Sequence, residues 1–157
     1  MMFAATQLLD VNRENTMPKT NTMLAAFALS ITVALAGPAF AEKMKATLDG
    51  KSEVPPTTSA GKGAADINYD AATKKLTWKV TYSGLTGPAT AGHFHGPAET
   101  GKNAGVAVPI SNIASSPAEG SATLTDAQAA DLMAGKYYVN IHTAANPGGE
   151  IRGQVTK

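Results

Sequence analysis

The sequence predicts an all-β domain: an antiparallel Greek-key sandwich or barrel with one short helix near 125–135. Three observations lead there. Apolar and polar residues alternate with period two in several short runs, clusters of Gly, Pro and Asn separate those runs, and a single stretch carries helix-capping chemistry. The first run, Met44–Leu48, is short. In the second, Ala65, Ile67 and Tyr69 alternate with Asp66, Asn68 and Asp70. The linker Asp70-Ala71-Ala72-Thr73-Lys74 then suits a hairpin into Lys75–Ser83. That third run is the clearest: Leu76, Trp78, Val80 and Tyr82 face one way, and Lys75, Thr77, Lys79, Thr81 and Ser83 the other.

Further strands are expected at Ala89–His95, Val106–Ile110, Gly120–Thr123, Tyr137–Thr143 and Glu150–Thr156. The helix is expected from Thr125 to Gly135. Thr125 followed by Gln128 fits a capping box, Gly135 follows the last periodic residue, and Leu124, Leu132 and Met133 supply apolar contacts. Turn residues mark the connections at Pro55-Pro56, Gly84, Gly87-Pro88 and Asn146-Pro147-Gly148-Gly149.

The N-terminal region reads differently. Met17-Pro18-Lys19 gives a basic start, and Met23 through Ala36 is apolar except for Ser30 and Thr32. Gly37-Pro38-Ala39-Phe40-Ala41 then supplies a small-x-small cleavage site, so residues 17–41 read as a secretory signal peptide. The run is shorter than a spanning helix needs, so no membrane span is expected once the signal is removed. Residues 1–16 read as an upstream misassigned start, and residues 42–157 as one domain, secreted to the periplasm or beyond the cell. The chain has 13 Lys and Arg against 12 Asp and Glu, a net charge of +1 with no basic stripe, which argues against nucleic acid as a partner. With no cysteine there is no disulfide, thiolate metal site or thiol nucleophile.

All three histidines fall in two motifs. His93 and His95 form a His-x-His in Ala91-Gly92-His93-Phe94-His95-Gly96-Pro97, and His142 sits in Tyr137-Tyr138-Val139-Asn140-Ile141-His142-Thr143. On extended backbone His93 and His95 share a face, with Phe94 opposite. Tyr138, Asn140 and His142 likewise share a face, with Val139 and Ile141 opposite. Adjacent strands would bring three imidazoles together as metal ligands; the alternative is histidines that cap turns or bond carbonyls. Without thiolate, and with no carboxylate in either motif, three nitrogens and an open position suit Cu(II), or a Zn²⁺ that keeps a water. Copper is the expected ion. Met44 and Met133 are conceivable axial donors, although core packing accounts for both. Glu150, Arg152 and Gln154 share a strand face. Arg152 there either steers anions toward the histidines or, as the favoured reading, stands on a solvated face. No Gly-x-Ser-x-Gly elbow or paired-carboxylate motif is present.

Three blocks carry a family resemblance: Gly92-His93-Phe94-His95-Gly96-Pro97-Ala98, Tyr138-Val139-Asn140-Ile141-His142-Thr143, and Pro147-Gly148-Gly149-Glu150-Ile151-Arg152-Gly153-Gln154. In this order they resemble the CHRD (chordin-type) domain family over about residues 44 to 156. That resemblance implies an all-β secreted domain but no established biochemical activity. A weaker likeness is to copper/zinc superoxide dismutases, in the order His-x-His, later strand histidine, and Gly-rich turn before an arginine. It would make His93, His95 and His142 copper ligands and Arg152 an anion guide. Here no histidine is left for a copper–zinc bridge and no cysteine pair exists, so only a mononuclear site matches. Two readings follow: a copper-binding secreted protein with scope for redox or superoxide chemistry, and a non-catalytic extracellular module that binds a protein partner. No motif assigns turnover; an enzyme, if there is one, would be a copper-dependent oxidoreductase.

Overall fold

The computed structural model describes residues 41–157. The expected upstream segment 1–16, and the expected signal peptide but for its last residue, lie outside the described residues. Eight strands form one antiparallel sheet: β1 (Glu42–Asp49), β2 (Lys62–Asp70), β3 (Lys75–Ser83), β4 (Ala89–His95), β5 (Val106–Pro109), β6 (Ala118–Thr123), β7 (Tyr138–Thr143) and β8 (Ile151–Gln154). A short 3-10 turn, Gly50–Ser52, follows β1, and helix α1 (Asp126–Met133) lies between β6 and β7. Among the described residues no helix is long and apolar enough to cross a membrane.

The strand order is β5-β4-β7-β8-β1-β2-β3-β6. The connections β3 to β4 and β5 to β6 therefore run between the two halves of the sheet, which curls into a nearly closed barrel. Trp78 of β3 meets Phe94 of β4 edge to face, with ring centroids 5.2 Å apart, although four strands separate β3 from β4 in the sheet. Period-two alternation supplies this interior: Met44, Ala46 and Leu48; Ala65, Ile67 and Tyr69; Leu76, Trp78 and Val80; then Phe94, Val108, Val139, Ile141 and Ile151. Met44 and Met133 pack in or against this core, the cheaper of the two readings for them.

Strands β5 and β6 are the sheet edges, and the chain bridges the gap with side chains. The Tyr82 hydroxyl donates to the Ile113 carbonyl, Ser116 Oγ accepts from Tyr82 N at 2.9 Å, and Gln128 Nε2 donates to the Ala107 carbonyl at 3.1 Å. Helix α1 starts with the expected capping box: Thr125 Oγ1 accepts from Gln128 N and Gln128 Oε1 from Thr125 N. It ends before Gly135 at φ +72°, a left-handed position that glycine takes without Cβ strain.

The seam between β1 and β8 is narrow. Only Asp49 and Arg152 are directly paired within the two strands, and Lys45 bridges to Thr156 beyond them. Close backbone approach holds it, because a Cβ on Gly153 would lie 2.2 Å from the Thr47 carbonyl oxygen.

The outer face of β7 and β8 is not solvated, contrary to the favoured reading of the Glu150–Arg152–Gln154 face. Glu150 and Arg152 are almost fully buried, and every residue of β7 is buried. The segments after β1, after β3 and after β4 fold over these residues and meet their polar groups. Glu150 belongs to the turn before β8 rather than to the strand, and its carboxylate accepts five hydrogen bonds, from Ser59 Oγ, Thr86 N, Thr86 Oγ1, Thr143 Oγ1 and Asn146 Nδ2. Burial alone would raise the Glu150 pKa, but the bonds from Ser59, Thr143 and Thr86 outweigh it and hold it at about 2.

Two outcomes follow. Gly153→Ala forces β1 and β8 apart and lowers stability by roughly 3 kcal/mol, whereas Gly87→Ala, with open space around its Cβ, stays within about 1 kcal/mol; chemical denaturation of both variants measures the difference. Glu150 titrates lower folded than unfolded, so its contribution is complete above about pH 4.5 and is lost as pH falls toward about 2. Glu150→Gln leaves buried hydroxyls without a charged acceptor, destabilises the domain by ~2–4 kcal/mol at neutral pH, and flattens this acid limb in melts recorded from pH 6 to 2.

Candidate metal centre

Strands β4 and β7 pair antiparallel with His95 opposite Tyr138, His93 opposite Asn140 and Ala91 opposite His142. Because Phe94, Val139 and Ile141 fill the core, the intervening residues turn outward on both strands, and the three imidazoles converge as the shared-face argument expects. One nitrogen of each lies within 4.8 Å of one nitrogen of each of the others. The His93 and His142 ring centroids are 5.0 Å apart, those of His93 and His95 5.3 Å, and those of His95 and His142 6.0 Å.

Hydrogen bonds to carbonyls fix which nitrogen two of the rings present. His95 Nδ1 lies 3.0 Å from the Ala104 carbonyl oxygen and His142 Nδ1 lies 3.0 Å from that of Pro147. A carbonyl only accepts, so both Nδ1 atoms carry hydrogen, and in the neutral rings both Nε2 atoms present a lone pair. His95 Nε2 is buried and has no hydrogen-bond partner. Metal-binding histidines have this same outer arrangement, with the far N–H held by a carbonyl and the near nitrogen free. His142 Nε2 lies 3.1 Å from His93 Nδ1. That spacing suits a hydrogen bond, and it equally suits two ligands on one ion with metal–nitrogen bonds of about 2.0–2.1 Å.

Burial lowers the pKa of His93, and the neighbouring His142 and His95 lower it further. Burial likewise lowers that of His95 against the opposing bond to Ala104, with His142 and Arg152 adding to the effect. In both rings the shift favours the neutral form, the one that coordinates. His93 also borders an open cleft of about 360 Å³ lined by Thr90, Ala91, Pro109, Asn112 and Ile113.

Further side chains surround the three histidines. Tyr138 stacks on His95 with centroids 4.9 Å apart and planes 5° from parallel. Its hydroxyl accepts from Ala104 N at 3.1 Å, beside the carbonyl that holds His95. The Arg152 guanidinium carbon lies 3.4 Å from the Tyr138 ring centroid. Arg152 donates to Asn103 Oδ1 at 2.8 Å and to the Lys102 carbonyl, so it is enclosed by protein and does not project toward solvent as an anion guide. Asn140, between Tyr138 and His142 on the strand, donates to both oxygens of Glu53 at 3.0 and 3.1 Å. Burial pushes the Glu53 carboxyl up to about 7 despite Asn140 and Arg152. Tyr138 and Asn140 were visible as members of the histidine face; Glu53 and Asn103 sit in loops with no pattern to mark them. Gly149, at φ +132°, passes so close to Asn140 and Glu53 that a Cβ there would lie 2.6 Å from the amide.

No curated protein and no solved structure matches the chain. A family model described as CHRD domain matches residues 44–155, a span that contains both histidine motifs and the Gly-rich turn before Arg152. With that match over most of its length, the chain belongs to the CHRD-domain family.

Proposed function

We propose that this CHRD-domain protein works outside the cytoplasm as a binder of a single metal ion, most naturally copper, held by His93, His95 and His142. The observation that carries the reading is the pair of carbonyl-anchored imidazoles, His95 and His142, whose second nitrogens face the cluster, one of them buried with no partner. CHRD domains are generally extracellular or secreted, which fits the signal-peptide reading of residues 17–41. The donor set of three neutral nitrogens, without thiolate or carboxylate, favours copper over zinc and leaves a position open.

Copper, when bound there, would supply one-electron chemistry with a small molecule at that open position. The chain's own part is positional. Ala104 and Pro147 hold two rings in fixed tautomers, Tyr138 braces His95, and the cleft beside His93 admits the reactant. One observation favours a second reading: the His93–His142 contact at 3.1 Å satisfies both nitrogens without an ion, as histidines that only hold the loops of an interaction module would require.

Purified protein is expected to retain one copper per chain, with nitrogen hyperfine structure in its Cu(II) EPR spectrum, and a triple His→Ala variant to retain none. Absence of retained metal, together with no change in melting temperature on adding copper or zinc, would favour the interaction module. Within the site, His142→Ala is expected to weaken copper as strongly as His93→Ala, by about a hundredfold or more, since each removes one of three ligands. Full affinity in the His142 variant, measured by chelator competition, would sink the three-ligand centre.

A further inference from the structure

The geometry points to Arg152 as a positioning residue that biases the histidine centre toward Cu(I) over Cu(II). This rests on the reading that His93, His95 and His142 hold copper. Arg152 is 2% exposed, yet no carboxylate lies within ion-pair distance of it among the described residues. Its hydrogen-bond partners, Asn103 Oδ1 and the Lys102 carbonyl, are both neutral. An arginine stays charged in a protein, and a buried cation without an ion partner is an unusual arrangement for stability alone.

The charge is aimed. Arg152 of β8 and His95 of β4 come from strands on opposite sides of β7, and both lie against the ring of Tyr138. Two planar groups at those distances cannot share one face of the ring, so Tyr138 is sandwiched between them. The guanidinium thus stands at most about 8 Å behind the His95 imidazole. At an effective dielectric near 20, a positive charge at roughly 10 Å from the ion disfavours each further unit of ionic charge by about tenfold in affinity. Cu(II) feels that penalty twice and Cu(I) once, so the ratio of their affinities moves by about tenfold. Arg152 also grips the loop residues Lys102 and Asn103 next to Ala104, whose carbonyl orients His95, so charge and position arrive through the same contacts. The carboxyl that feels the guanidinium is that of Glu53, which reaches the same face through Asn140.

The test is paired chelator competition on the full-chain protein at pH 8, with Cu(II) in air and Cu(I) under anaerobic conditions, read as the ratio of the two dissociation constants. Arg152→Gln removes the charge and is expected to tighten Cu(II) about tenfold relative to Cu(I). Arg152→Lys keeps the charge without the planar stack and should hold the wild-type ratio even if both ions bind more weakly. An unchanged ratio in Arg152→Gln, with both ions still bound, overturns the inference and leaves the copper site standing. An Arg152→Lys ratio that moves as far as that of Arg152→Gln assigns the effect to shape and overturns it too. If Arg152→Gln does not fold by circular dichroism, Arg152→Met, uncharged and of similar reach, is read in its place, and an unchanged ratio there overturns the inference. Wild-type protein that binds neither ion overturns the copper reading itself, and this inference with it.

Discussion

Strand β7 is buried on both faces, and the rest of the site depends on how the chain meets that constraint. One face is ordinary: Val139 and Ile141 complete the barrel interior. The other carries Tyr138, Asn140 and His142, all polar and all buried. Buried polar groups without partners cost on the order of 1–3 kcal/mol each, so a strand of this kind is stable only if something outside the sheet supplies hydrogen bonds. Three segments do so, those after β1, after β4 and before β8. They bring Glu53, Asn103, Ala104 and Pro147 to a face that would otherwise meet water.

The result is a second, polar layer laid over β4, β7 and β8. Its two carboxyls illustrate what partners do to a buried acid. Glu150 collects donors from four residues and stays ionised far into the acid range, so it ties the loops together as a charged node. Glu53 has the Asn140 amide and a backbone contact from Val54, too little against its burial, and is pushed the other way, up to about 7. Burial is common to both; the number of donors separates them. The same contrast applies to the imidazoles, where the carbonyls of Ala104 and Pro147 occupy one nitrogen of His95 and of His142 and leave the other toward the cluster. The layer is largely satisfied, and the unpartnered nitrogen of His95 lies at its histidine cluster. Asn140 Oδ1, also without a partner, adds a second free acceptor to the same layer.

Much of the architecture was legible in the sequence because period-two patterning is local. The strand at Lys75–Ser83 and the strand at Ala89–His95 have the expected bounds, and the helix carries the expected cap at Thr125. The convergence of His93, His95 and His142 was legible for the same reason: side-chain direction on a strand follows from position, and only the adjacency of β4 and β7 had to be supplied. The face of Glu150, Arg152 and Gln154 was misread as solvated because alternation gives direction without burial. Whether an outward face meets water depends on loops more than forty residues away, and Ser59, Asn103 and Thr86 carry no pattern that announces such contacts.

By itself the sequence determined the strands, the helix, the two faces of each histidine strand and the lack of thiol or disulfide chemistry. These follow from backbone periodicity and composition, which need no knowledge of neighbours. Only the tertiary structure decided that β7 lies between β4 and β8, that Arg152 is enclosed behind Tyr138, and that carbonyls of distant loops select the tautomers of His95 and His142. Those outcomes depend on which strands pair and which loops cover them. They are settled by long-range packing and the requirement that buried polar groups find partners.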